Sequence, residues 1–336
     1  MAGIGNTYFD IIDLLTRTDN PESMKAAVII ELLKQYNPML DDAIALPCNQ
    51  GVSHKTTVRT GLPQPTWGML YQGVQPSKST TVPVTDTTGF CESLAPIDER
   101  LLELSPNENE TRLSEAEAHL EGLSQDVAST MIYGNSSLEP EKFTGLSPRF
   151  SSLSAANGGQ IVDAGGTGSD NQSVWFVVWG ERTCHTLYPR GATAGINRMD
   201  KGSQRVLDDN GNPYYVKEEL FRQHIGLSVR DWRYVVRVAN IDSSELLAGN
   251  VDVLKILRQG MWRLKSHQLG DKMRGAIYAT DDFLEAVDAD TTPTTSTSSS
   301  YVRLRPDEAQ GKEIMQYRTF PMRQVDALLK TEARVV

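Results

Sequence analysis

The sequence predicts an α+β protein, long enough at 336 residues to bury one large core or two modest ones. Three observations carry that reading. A Thr- and Pro-rich stretch over residues 54–90 has the composition of strands but very little apolar content. Residues 112–133 place apolar side chains at spacings of three and four, the period of an amphipathic helix. Two β-rich stretches, 173–188 and 225–241, precede a second amphipathic helix over 250–266.

Taken in order, residues 7–35 read as two short helices. Tyr8, Phe9, Ile11, Ile12, Leu14 and Leu15 crowd the first, and Met24, Ala27, Val28 and Leu32 belong to the second. A turn over Asn20-Pro21-Glu22-Ser23 separates them, and Asn37-Pro38 ends the pair because a residue before proline is pushed out of the α region. Residues 1–47 carry three basic and seven acidic side chains, so this arm should dock on protein, not on nucleic acid. The ribbon runs out over 54–60 and back over 79–85, with Pro63, Pro65, Trp67, Tyr71, Gly73 and Pro76 between. A lone two-stranded ribbon is marginal in water, so its support is expected from another subunit. Trp67 and Tyr71 sit at the tip of a polar ribbon, where an aromatic more often anchors a partner than a core.

Residues 94–104 are expected to form a short helix broken at Ser105-Pro106-Asn107. The helix Arg112–Tyr133 follows, about 33 Å long, with Leu113, Ala116, Leu120, Leu123 and Val127 on one stripe and a strongly acidic opposite face. Gly134 is read as its left-handed terminating residue. Residues 134–170 read as irregular connection, and a smaller hairpin turning at Asn210-Gly211 lies between the two β-rich stretches. Leu254, Leu257, Met261 and Leu264 line the second helix. A strand at 276–278, a helix at 281–287, an exposed Thr/Ser loop at 291–300 and strand character over 322–329 complete the chain. Trp175, Trp179 and Trp232 are expected in the core.

Composition excludes several functions. A net charge of −10 gives no bulk attraction for phosphate backbones. Cys48, Cys91 and Cys184 are too far apart for a metal pair and odd in number, which fits a reducing compartment. The longest apolar run, residues 174–179, falls far short of the roughly 18 residues needed to span a bilayer. Gly165-Gly166-Thr167-Gly168 lacks the preceding strand and following helix of a phosphate loop, so a turn is the better reading. Asp208, Asn210, Asn212 and Glu219 have calcium-loop spacing, but Pro213 stands where the sharp turn needs glycine. Cys184 and His185 are adjacent in a strand and point to opposite faces, so they do not pair as nucleophile and base. His54, His119, His224 and His267 have no metal-ligand spacing. No catalytic, cofactor-binding or metal-binding residue is expected.

Several segments resemble one family. Pro65-Thr66-Trp67-Gly68-Met69-Leu70-Tyr71-Gln72-Gly73-Val74 is similar to the extended-loop signature of tailed-bacteriophage major capsid proteins. Similar too are Ile132-Tyr133-Gly134-Asn135 with Pro140–Leu146, Gly165–Asp170, Ser173–Gly180 leading into Tyr188-Pro189-Arg190-Gly191, and Gly226–Tyr234 continuing to Val238–Asp242. The resemblance covers roughly 60–245 closely and the remainder by order of elements.

The resemblance implies the Hong Kong 97-like fold. It allots residues 1–50 to an N-terminal arm, 51–92 to an extended loop and 93–244 to a peripheral domain with its spine helix at 112–133. Residues 245–315 would be an axial domain, and 316–336 a C-terminal strand returning to the peripheral domain. It implies a structural protein, not an enzyme: copies of itself forming hexamers and pentamers of an icosahedral head around double-stranded DNA, bound without sequence specificity. A portal, and scaffolding or decoration proteins, are the further partners; no cofactor and no membrane are implied. The subunit would be made in the bacterial cytoplasm and reside in the virion shell. An encapsulin-like nanocompartment shell is the alternative, and a soluble hydrolase with an unrecognised acidic site a second. No N-terminal prodomain is recognisable, so assembly without proteolytic maturation is expected. Lys55 and Lys78 lie in the ribbon without a crosslinking motif around them.

Candidate assembly-interface residues are therefore Trp67, Tyr71 and Lys78 on the ribbon, with Arg258 and Arg263 on the second helix. The last two belong to a basic stretch, residues 255–274, with six basic side chains against one acidic. Residues 98–126 hold nine acidic against two basic, and at least one of these stripes is expected to meet opposite charge across a subunit boundary.

Overall fold

In a computed structural model, residues 18–20, 25–26, 37–105, 107–208, 210–265, 273–291, 302–306 and 313–336 are described. In chain order the elements begin with β1 (Thr18–Asn20), β2 (Lys25–Ala26), α1 (Met39–Asp42), β3 (Ala45–Pro47), β4 (Ser53–Gly61) and β5 (Thr80–Asp98). Next come α2 (Glu99–Leu104), α3 (Glu108–Tyr133), α4 (Leu146–Arg149), β6 (Ile161–Asp163), β7 (Asn171–Trp179) and β8 (Cys184–Tyr188). A long hairpin of β9 (Ile196–Leu207) and β10 (Pro213–Val229) leads to β11 (Val235–Asp242), α5 (Ser243–Leu247) and α6 (Val253–Arg263). The chain ends with β12 (Arg274–Ala279), α7 (Asp281–Thr291), β13 (Val302–Pro306), β14 (Glu313–Tyr317) and β15 (Phe320–Gln324).

Strand β7 explains how two cores share one sheet. All nine of its residues are buried, and successive side chains point to opposite faces. Trp175, Val177 and Trp179 pack with Leu123, Val127 and Met131 of α3. Val174, Phe176 and Val178 pack with Ile256, Leu257 and Met261 of α6 and Phe283 of α7. β11, antiparallel to β7, divides likewise, sending Val235 and Ala239 to the α3 side and Val236 and Val238 to the other. Each fully buried side chain of this kind contributes about 1.5–3 kcal/mol, so neither layer of helices can be lifted away cheaply. Helix α6 approaches closely because Gly260 faces the Phe176 ring, where a Cβ would lie 2.4 Å from a ring carbon.

Several expectations are corrected by long-range pairing. Residues 94–98 are strand, not helix, because Thr88–Asp98 of β5 pair antiparallel with Val216–Gly226 of β10; the helix begins at Glu99, with Asp98 capping the Arg100 N–H at 2.9 Å. The ribbon is therefore continuous with the main sheet through its return strand. The hairpin around Asn210-Gly211 is not small, since its strands run twelve and seventeen residues. Its turn is held by Asp208, whose Oδ1 accepts from the Asn210 and Asn212 N–H groups at 2.9 and 2.7 Å. The 134–170 connection contains α4 and β6, and β6 pairs parallel with β11. Trp232 is not core: it lies in a single 3-10 turn after β10 and is 37% exposed. The second amphipathic helix is shorter than expected, starting where Asp252 caps the Lys255 N–H at 2.8 Å.

Helix α3 begins four residues earlier than the apolar stripe suggested, with Glu108 and Glu110 at the end where the helix dipole favours negative charge. Leu113 lies on the stripe by spacing yet is half exposed. Gly134 ends the helix at φ −51°, not in the left-handed region. Glycine is required there for close approach: a Cβ would lie 2.5 Å from the Phe143 carbonyl oxygen, and the Gly145 N–H donates to the Gly134 carbonyl at 2.8 Å. The two N-terminal helices lie mostly outside the described residues. Within them, Lys25–Ala26 is strand paired with Thr18–Asn20 across the expected turn. The Thr/Ser loop at 292–300 also lies outside.

The C-terminal segment holds strand character only to Gln324 and then runs irregularly back over the α3-side core. The Glu332 N–H donates to the Asn171 carbonyl at 2.7 Å, and Asn240 exchanges two bonds with the backbone of Val335. Glu332 itself is buried. It pairs with Arg237 at 2.8 Å, accepts from Ser173, and accepts from the Tyr133 hydroxyl at 2.5 Å. Arg237 also lies over the Trp175 ring, 5.2 Å from its centroid. Among the described residues no helix is long and apolar enough to cross a membrane.

Candidate assembly surfaces

The ribbon pairs from Ser53 opposite Thr87 to Gly61 opposite Thr80. Beyond Gly61 its tip, residues 62–79, is surface. Trp67 is 99% exposed, and Tyr71, Leu70, Leu62, Val74 and Met69 stand out beside it. The tip's own polar bonds are few: Ser77 donates to the Gln64 carbonyl at 2.9 Å, and the Gln72 N–H to Met69 at 3.1 Å. Tyr71 sits at φ +65°, a conformation that costs a residue with a Cβ about 1 kcal/mol or more. Six large apolar side chains thus stand in water together on a narrow ribbon.

The base of the ribbon is built differently. Asp86 of β5 is buried, takes an ion pair from Arg149 of α4 at 2.9 Å, and accepts from Ser228 of β10 at 2.7 Å. Beside it His54 of β4 packs edge to face on His185 of β8. Outside this base, an open cleft of about 640 Å³ is lined by Arg59, Arg182, Arg230, Arg233, Glu181 and Trp232 among others. Arg233 is committed to Asp231 at 2.7 Å, and Arg230 donates to the Glu181 carbonyl at 3.0 Å.

The acidic helix α3 is tied to the long hairpin by an ion network. Arg112 reaches Asp200 of β9 at 2.7 Å and Glu219 of β10; Arg198 joins Glu219 at 2.7 Å; Lys217 meets Glu108. Burial pulls Glu219 upward, yet Arg198 and Arg112 together hold it below the usual carboxylate range. Hydrogen bonding to Arg112 likewise lowers Asp200. The outward face of the same helix carries Glu110, Leu113 and Glu117, with Leu104 exposed just before it.

The interface candidates fall on two separate surfaces. Trp67, Tyr71 and Lys78 are exposed together on the ribbon's outer part. Arg258 is exposed on α6, near Lys255, Trp262 and Lys265. Arg263 is also exposed but donates to the Gly159 carbonyl at 2.5 Å, so part of its donor capacity is used within the subunit. Trp262 stacks under Arg318, 5.4 Å from the guanidinium carbon. The cluster at the ribbon base was not legible residue by residue. Its one signal is that ribbon register sets His54 opposite Asp86. Cys184, fully buried, has its thiol pushed up to about 12 by desolvation, which leaves it inert as a nucleophile at neutral pH.

A model of the family described as "Major capsid protein GP7" matches residues 21–336. A chain in the cryo-EM structure of bacteriophage Epsilon15 is similar over 100% of this chain and 99% of that one, with 34% identity and a TM-score of 0.76. The capsid of a native GTA particle is 12% identical over 64% of this chain and 93% of that one, with a TM-score of 0.46. The holo-SrpI encapsulin complex of Synechococcus elongatus PCC 7942 is 10% identical over 70% of this chain and 96% of that one, with a TM-score of 0.43. No curated protein matches the sequence.

Proposed function

The chain belongs to the major capsid protein GP7 family and is a structural subunit of a phage capsid with the Hong Kong 97-like fold, and from that premise we propose that its copies form the hexamers and pentamers of an icosahedral head around double-stranded DNA. The observation that carries this reading is the ribbon tip. Trp67, Leu70 and Tyr71 are fully or nearly fully exposed, at the end of a ribbon whose base is pinned to its own subunit. Such a tip gains its burial in a pocket of a neighbouring copy. Size-exclusion chromatography with light scattering on material from lysate tests the reading: closed shells hundreds of ångströms across are expected. A monodisperse monomer or dimer under every condition tried overturns it.

In the same proposal, residues 1–50 act as an arm on neighbouring subunits and 51–92 as the extended loop. Residues 93–244 form the peripheral domain and 245–315 the axial domain, with 316–336 returning to the peripheral domain. Trp67, Tyr71, Lys78, Arg258 and Arg263 are contact residues, and at least one of the two charge stripes, acidic over 98–126 or basic over 255–274, meets opposite charge across a subunit boundary, setting register more than affinity. A portal, and scaffolding or decoration proteins, complete the head. The net charge of −10 gives the subunit no bulk attraction for DNA, so the genome is held by enclosure and without sequence preference. Synthesis is in the bacterial cytoplasm and the finished protein resides in the virion.

A further inference from the structure

Strand β5 changes partners at the ribbon base. From Thr80 to Thr87 it pairs with β4; from Thr88, opposite Gly226, to Asp98 it pairs with β10. Beyond Gly226, β10 pairs with β8 instead. The two pairs of strands thus part at one point, and polar residues fill the space between them. His54 stands opposite Asp86 across the ribbon, and His185 stands opposite Ser228 across β8 and β10. These cross-strand pairs meet each other: Ser228 donates to Asp86 at 2.7 Å, and the two imidazoles touch edge to face with centroids 5.7 Å apart. His54 is 8% exposed and His185 is fully buried, and none of their four ring nitrogens has a hydrogen-bond partner within the described chain.

We propose that this cluster is a proton-operated latch on the ribbon base: with both imidazoles neutral the ribbon lies closed against β8 and β10, and uptake of a proton by His54 or His185 opens it. Two groups favour an imidazolium, the Asp86 carboxylate for both rings and the Gly180 carbonyl for His185, and desolvation outweighs them. From β5 the facing group is Asp86, already engaged by Arg149 of α4 and by Ser228 of β10. After β10 comes Arg230, a like charge that disfavours protonation of either ring. On β8 the neighbouring titratable group is Cys184, a neutral thiol. A charge on His54 further opposes protonation of His185.

Desolvation first, then these like charges, lower both histidines, His185 to about 4 from 6.5. A histidine lowered in the closed state binds fewer protons there than when open. The closed state therefore has its full stability above pH 6.5 and loses it as the pH falls from 6.5 towards 4. For His185 alone, the opening equilibrium at pH 5 is about 30-fold larger than at pH 7.5.

Hydrogen–deuterium exchange on the full chain at pH 7.5 and 5.0, corrected for the intrinsic rate at each pH, tests the latch. Amides of residues 53–58 and 184–187 should open about 30-fold more at pH 5.0, while those of 174–178 stay unchanged. His185→Phe and His54→Phe should each reduce the acid effect. An unchanged wild type, or acceleration that spreads equally to 174–178, overturns the proposal, and so does full acceleration retained in both variants. Should neither variant fold, ring-carbon NMR of histidine-labelled wild type decides: a resonance titrating near pH 4 supports the latch, and all five histidines titrating near 6.5 overturn it.

Discussion

Removing the Glu332 carboxylate should unfasten the C-terminal segment at high cost. Side chains of Arg237 and Glu332 are only 4% and 5% exposed, so Glu332→Ala strands a guanidinium charge in the core. Breaking a buried pair from one side costs about 3–5 kcal/mol, whereas an exposed pair is worth about 0–1. The carboxylate also accepts from Ser173 and Tyr133, which puts the expectation in the upper part of that range. Arg237 keeps its bond to the Phe150 carbonyl at 2.8 Å and its place over Trp175, which limits the loss. Against a total stability of about 5–15 kcal/mol, the variant should melt on the order of 10 °C lower.

The assay is thermal or urea unfolding of the full-length subunit, carried through a double-mutant cycle. Arg237→Met with Glu332→Met removes both charges and should cost clearly less than the sum of the single changes, because no charge is left unpaired. A Glu332→Ala loss below about 1 kcal/mol would show that the pair behaves as a solvated one. A double variant as damaged as the sum of the two singles would refute the reasoning equally.

Trp67→Ala should leave subunit circular dichroism unchanged and cut particle yield, since an anchor of this kind is worth about 2 kcal/mol or more per contact; loss of fold would place the ring in the subunit's own core. Gly260→Ala drives a Cβ to 2.4 Å from the Phe176 ring and should cost about 1–3 kcal/mol of overpacking. That exceeds most of the roughly 1 kcal/mol that alanine gains in a helix, so a urea midpoint at or above wild type would contradict the close packing of α6. Arg258→Glu should slow assembly, and wild-type assembly should weaken in molar salt, where screening acts over about 3 Å. Shells indifferent to both would return the basic face of α6 to plain solvation.

The legible parts of this fold are those whose partners are close in sequence or whose pattern is forced by two-sided burial. The run from Val174 to Trp179 reads as core because every residue in it is apolar, and both faces of β7 are indeed covered. The stripe through Ala116, Leu123 and Val127 located α3 because one buried face imposes the helical period. Residues 94–98 were misread because their strand state comes from β10, more than a hundred residues away, and no local propensity carries that. Gly134 invited a left-handed cap by position, yet the backbone of Phe143 demanded it. Trp232 shows the same limit, since a tryptophan beside a strand is core only if something packs over it.

Interfaces are legible by the opposite logic. A buried residue announces itself by agreeing with a period; a residue that waits for a neighbouring subunit announces itself by breaking one. Trp67 and Tyr71 stand in a stretch of Pro, Gly, Gln and Thr that offers them no intrasubunit face, and they are exposed. Leu113 keeps the helical period but lies half exposed beside Glu117, so periodicity alone overstated its burial. Charge stripes are more ambiguous still. Arg258 and Arg263 look alike in sequence, but a loop a hundred residues earlier supplies the Gly159 carbonyl to one of them. Of the two, Arg258 makes no such bond among the described residues and is the sharper probe of contacts between subunits.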